Sequence, residues 1–178
     1  ILALVILEAS KVASKKGKYI GRTAVQKLLY FSQIAGIETN YRFEIYHYGP
    51  FCEKILRDID WLIMDGVIED HSDKPGKYSN YFPSKDINEL LSLHQDTISR
   101  IQPTVEALAD TLAPLSPTQL ELLATLDYVY RQYKASGNIP PLKDQVVNKF
   151  KEIKGEKFGQ GEVNQMYEVM KKAGIFTE

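Results

Sequence analysis

Three observations predict a mainly α protein with a small β ribbon. Apolar residues recur at helical spacing through most of the chain. One aromatic segment, Tyr41 to Tyr48 (YRFEIYHY), alternates side to side as a strand does. Glycines stand just past several periodic segments, at Gly36, Gly66 and Gly174, where a left-handed residue ends many helices.

The elements follow in order. Ile1 to Ala13 reads as a first helix, with Leu2, Val5, Ile6, Ala9 and Val12 at helical spacing, and Ser14 to Gly21 as a basic, glycine-bearing loop. Arg22 to Ala35 is a second helix with Val25, Leu28, Leu29 and Ser32 on one face. The aromatic strand comes next, broken by Gly49-Pro50, with Pro50 placed to open a third helix. That helix spans about Phe51 to Asp65. Its apolar face is Cys52, Ile55, Leu56, Ile59, Leu62 and Ile63. Val67 to His71 and Tyr78 to Pro83 are short strands around the turn SDKPGK. Asp86 to Leu112 reads as a long connecting helix kinked at Pro103. Ser116 and Pro117 open another helix as N-cap and first residue. After the loop SGNIPP, two further helices lie near Lys143 to Ile153 and Glu162 to Ala173.

Helix, helix, strand, helix and a two-stranded ribbon is close to the winged-helix order. The expected organisation is a winged-helix-like domain over 1–84, a connecting helix over 85–115, and a helical half over 116–178. The two ends share a loose plan of apolar helix, Lys/Gly/Ile loop and second helix. The C-terminal half is therefore readable as a second helix-turn-helix unit.

Composition narrows the function classes. With 178 residues, 44% hydrophobic and 25% charged, the chain falls in the globular range. A net charge of -1 and a pI near 6.4 exclude a strongly basic nucleic-acid binder as a description of the whole molecule. One cysteine, Cys52, rules out an intramolecular disulfide and fits a reducing compartment. No apolar run approaches the roughly 20 residues of a spanning helix, and ILALVIL is short and followed by Glu8. A soluble, cytoplasmic protein without membrane attachment is expected.

Helical phase selects the candidate surfaces. With its apolar stripe centred near Ile59, the third helix turns Glu53, Arg57, Asp60, Trp61 and Met64 outward, with Lys54, Asp58 and Asp65 toward one flank. Four acids against two bases give this surface a charge of -2, and DNA phosphates repel it. Trp61 and Met64 on that face require cover, by the rest of the chain or by a protein partner docking beside Arg57. The basic feature lies elsewhere: Lys11, Lys15, Lys16, Lys18, Arg22 and Lys27 occur in a stretch without an acid. It reads as a solvated helix end and loop, or as a contact for nucleic-acid backbone, with Lys74 and Lys77 at the wing tip as further candidates.

Catalytic and metal signals are missing from the sequence. His47, His71 and His94 are far apart, and Cys52 with His47 lacks the further ligands of a zinc site. Cys52, on an apolar helix face, reads as a core thiol. There is no GxSxG, phosphate-binding glycine loop or GxGxxG. No enzyme, cofactor or metal is expected.

The stretch Gly21 to Asp70 contains GRTAVQKLLYFSQ, then FEIYHYGPF, then DWLIMDGVI. This combination resembles the YwgA-like family of small uncharacterised prokaryotic proteins. It is similar, more distantly, to the Panacea (SocA-like antitoxin) domain. The matching residues are Arg22, Gln26, Lys27, Leu28, Leu29, Tyr30, Phe31, Tyr46, His47, Tyr48, Gly49 and Pro50. The Panacea resemblance implies action by protein contact, neutralising toxins or delivering them for degradation. The same aromatic residues can also simply pin the second helix, strand and third helix together. The expected function is thus a non-catalytic protein-interaction or regulatory module of antitoxin-like type, binding another protein or itself. The alternative is a winged-helix DNA-binding transcriptional regulator using the basic stretch.

Overall fold

The computed structural model describes residues 1–72, 78–137 and 141–176. Among them are eight α-helices, one short 3₁₀ turn and two two-stranded sheets, so the chain is mainly helical. Residues group into two compact units, 1–44 with 51–120, and 45–50 with 121–178.

In the first unit α1 (Leu2–Ser14) is apolar almost all round, with Leu2, Leu4, Val5, Ile6, Ala9 and Ala13 buried. A helix of that kind must be surrounded by other elements. α1 packs against α2 (Arg22–Ile34), α3 (Glu53–Met64), α4 (Ile87–Ser92), α5 (Gln95–Leu112) and β4 (Tyr81–Pro83). Each fully buried leucine or isoleucine in this core contributes about 1.5–3 kcal/mol relative to exposure. β4 pairs antiparallel with β3 (Ile68–Asp70), Ile68 opposite Pro83 and Asp70 opposite Tyr81. The Asp70 carboxylate closes the ribbon base by accepting the amides of Ser72 (3.1 Å) and Asn80 (2.9 Å). Lys74, Pro75, Gly76 and Lys77, the expected wing tip, lie outside the described residues.

On the other edge of β4 the Tyr81 amide donates to the Ile20 carbonyl at 2.9 Å, so the segment between α1 and α2 adds a bridge to the ribbon. Gly21 makes this approach feasible. A Cβ there would stand 2.9 Å from the Ser79 carbonyl oxygen, a backbone atom with little freedom to yield. Gly21→Ala is therefore expected to lower stability by about 1–2 kcal/mol, as overpacking does. A urea midpoint unchanged from that of the parent would show that the ribbon gives way.

Two local readings differ from the structure. The aromatic segment forms a hairpin, β1 (Glu44–Tyr46) and β2 (Gly49–Phe51), instead of one strand ended by Gly-Pro. His47 and Tyr48 make the turn, and Gly49 follows at φ +86, the left-handed residue that a G1 bulge places after a hairpin turn. Pro50 then lies inside β2, tolerated because a two-stranded sheet leaves one edge unbonded, and α3 opens at Glu53. The expected single helix over Asp86–Leu112 is two, α4 and α5, parted at Leu93 and His94, where His94 leaves helical geometry at φ -126, ψ 31. Both pack on α1 within the first unit, burying Ile87, Ile98, Ile101 and Val105.

The division between units falls within α6 (Pro117–Ala135). The expected cap is present at its start: the Gln119 amide donates to Ser116 Oγ at 3.2 Å and the Ser116 amide to Gln119 Oε1 at 2.9 Å. The second unit continues with α7 (Lys143–Lys154), the 3₁₀ turn Gly155–Lys157 and α8 (Gln160–Lys172). Val146, Phe150, Phe158, Val163 and Met170 are fully buried, with Phe150 and Phe158 edge to face at 5.6 Å. Asn138, Ile139 and Pro140 of the expected SGNIPP loop lie outside the described residues. Among the described residues, no helix is long and apolar enough to cross a membrane.

Candidate functional site

α3 carries two of the exposed large apolar side chains of the first unit, and its rotation is fixed by what lies beneath it. Ile55 and Ile59 are fully buried, while Leu56, Leu62 and Ile63 are half-buried. At the entry to the helix, the buried amide of Gln26 clamps the backbone of Cys52 from both sides. Gln26 Nε2 donates to the Cys52 carbonyl at 2.9 Å, and the Cys52 amide donates to Gln26 Oε1 at 3.0 Å. With the inner stripe held, Glu53, Lys54, Arg57 and Asp60 are exposed, and Trp61 and Met64 stand out at 62% and 75% exposure.

Beside this face, Asp58 ties α3 to the loop after α2. Its Oδ2 accepts the Tyr41 hydroxyl at 2.8 Å and the Lys54 ammonium at 2.6 Å, and that ammonium lies 5.1 Å from the centre of the Tyr41 ring. Burial, then the bond to Asp58, pushes the Tyr41 phenol well above its ordinary pKa. Asn40, just before it, holds φ +56, a conformation few non-glycine residues adopt. A cleft of about 600 Å³ opens here, with Thr39, Asn40, Trp61, Leu62, Leu91 and His94 in its lining. The oxygen of Asp58 that faces Tyr41 already accepts two donors, so the cluster works as a brace for the cleft wall.

The basic stretch separates into unlike residues. Lys27 is 1% exposed, which corrects its reading as a nucleic-acid contact. α2 is buried from Val25 through Ser32, so Lys27 cannot reach a phosphate backbone. Lys11 is exposed but pairs with Glu8 at 2.8 Å, an acid just upstream of the acid-free stretch. Lys18 donates to the Pro114 carbonyl at 3.0 Å. Lys15, Lys16 and Arg22 remain exposed on the loop and at the start of α2.

The YHYGP corner belongs to the second unit, where Tyr46, His47 and Tyr48 are exposed and Gly49 and Pro50 buried. Its position is set by three charged residues that the sequence does not single out. Lys154 Nζ donates to the His47 carbonyl at 2.8 Å and to Glu121 Oε1 at 2.9 Å. Lys157 reaches the same carboxylate at 2.7 Å and sits 4.9 Å from the centre of the Tyr48 ring. The Lys154 and Glu121 side chains are each 2% exposed. Desolvation draws the Lys154 ammonium below its ordinary pKa against the pull of Glu121. The corner is an anchored turn whose exposed surface is aromatic.

Cys52 is buried at the start of α3, as expected of a core thiol. Among the described residues, no group of three or more His, Cys, Asp or Glu side chains could hold a metal ion. His47 and His71 are exposed in different units, and His94 lines the cleft.

No family model matches the chain. It is 28% identical over 118 residues to the uncharacterized protein YwgA of Bacillus subtilis (strain 168). This chain is similar to YwgA. The match spans 66% of this chain and 70% of YwgA, whose name carries no activity.

Proposed function

We propose that this chain is a YwgA-like, non-catalytic protein-interaction module of regulatory, antitoxin-like type, working in the cytoplasm through the outer face of α3. The observation that carries this reading is the exposure of Trp61 and Met64, 62% and 75%, on a helix whose other exposed residues are Glu53, Lys54, Arg57 and Asp60. Tryptophan is the residue most enriched among those that dominate binding energy at protein interfaces. The order of elements supports a winged-helix N-terminal unit: Ile20 bridges Tyr81 of the ribbon, and α3 comes directly before the ribbon, as a recognition helix would. The acids Glu53, Asp60 and Asp65 on that helix disfavour insertion into a DNA groove. The more distant Panacea resemblance, carried by the KLLYF and YGP segments, supports action by protein contact.

Two measurements test this. Trp61→Ala is expected to leave stability within about 0.5 kcal/mol, as surface substitutions do. Unfolding of that variant would make Trp61 internal packing and remove the docking face. Labelled duplex DNA is expected to show no salt-sensitive binding. The alternative, a DNA-binding regulator, is supported by the exposed Lys15, Lys16 and Arg22. It predicts affinity that falls steeply with salt and is abolished by Lys15→Glu with Lys16→Glu.

A further inference from the structure

The charge pattern on the exposed face of α3 points to a specific occupant. Arg57 lies four residues before Trp61 and Asp65 four residues after it, so both share the Trp61 face, one turn to either side. Around them, Glu53 and Lys54 lie toward the N-terminal end of the helix and Asp60 stands next to Trp61. Of the two cations, Arg57 is the one loosely held. Arg57 meets Glu53 only at 3.9 Å with both side chains largely exposed, and Lys54 pairs with Asp58 while 54% exposed.

We infer that α3 pairs with α3 of a second copy of this chain, antiparallel, about a two-fold axis at Trp61. This rests on the proposed docking role of the face and names its partner. In that register Arg57 of each copy comes level with Asp65 of the other, giving two equivalent ion pairs around a central pair of tryptophans. Met64 of each copy lies beside the incoming arginine. A parallel arrangement would set Arg57 against Arg57 and Asp65 against Asp65, and like charges in contact are strongly disfavoured. An isologous two-fold contact is the commonest way for identical chains to close an interface. The apolar area offered by Trp61 and Met64 alone is below that of a standard interface, so the contact is of the weak, transient class.

Light scattering on the intact chain across a concentration series reads this directly. The expected mass rises from 20.3 kDa toward twice that value. Trp61→Asp is expected to remain monomeric. Arg57→Asp and Asp65→Arg are each expected to weaken association by about tenfold or more, because each brings like charges together. The double variant restores it by exchanging the partners. All these positions are exposed, and if Trp61→Asp folds poorly, the charge-exchange set carries the test. A chain that stays monomeric at every concentration overturns the two-fold pairing, as does a double variant no better than the singles. Either result leaves the docking face available to a different protein. That reading fails separately, through unfolding of Trp61→Ala.

Discussion

Gln26→Leu is expected to destabilise the first unit by about 1–3 kcal/mol, read as a fall in urea midpoint at unchanged slope. The glutamine is 2% exposed and makes two near-ideal hydrogen bonds to the backbone of one residue, Cys52. Leucine fills a similar volume yet offers neither donor nor acceptor. The Cys52 amide would then be buried without a partner, at a cost of about 1–3 kcal/mol, while its carbonyl would keep the Ile55 amide at 3.2 Å. Gln26→Glu should cost at least as much near neutral pH, since it buries a carboxylate that accepts from the Cys52 amide but has no proton to donate to the Cys52 carbonyl. The clamp also fixes where α3 begins, so Gln26→Leu should loosen amide-exchange protection in the first turn of α3 before that of α1. A loss under 1 kcal/mol would mean that the apolar stripe alone seats the helix.

The legible part of this fold was the part carried by periodicity. The stripe Cys52, Ile55, Ile59 predicts the rotation of α3, and Trp61 and Met64 are exposed as that phase requires. Ser116 and Gln119 form the cap that their identities suggest. Periodicity fails where a helix is enclosed on every side. α2 is buried at Gln26, Lys27 and Ser32 as well as at Leu28 and Leu29, so Lys27 counts as a surface cation in the sequence and is 1% exposed in the fold. Gln26 sits within a motif noticed for its aromatics, with no local sign that its amide serves a residue 26 positions away. Gly49-Pro50 is ambiguous by nature: the same pair can open a helix or follow a hairpin turn, and only the pairing with β1 decides. The cleft joins the loop at Asn40, α3 and the start of α5, a meeting that no local pattern records.

The cluster at the YHYGP corner was the least legible, because 33 and 36 residues separate Glu121 from Lys154 and Lys157. It also supports the second large prediction. Glu121→Leu is expected to cost the second unit about 3–5 kcal/mol, since it strands a buried lysine beside the His47 carbonyl with its carboxylate partner gone. Lys154→Met in the same chain should recover much of that loss, because removing both charges leaves no uncompensated ion, whereas an additive pair would lose more than either single variant. The pH dependence has a fixed sign. Burial already draws Lys154 below its ordinary pKa, and removing Glu121 draws it further. Between the lowered folded value and the unfolded value of 10.5, the unfolded chain binds more protons, so stability rises with pH across that window. The deficit of Glu121→Leu should therefore shrink as pH climbs toward the ordinary lysine range. In the parent protein, loss of the Lys154 charge also weakens its bond to Glu121. A deficit that stays constant with pH would place the cost in packing around the hairpin turn and not in the stranded ammonium.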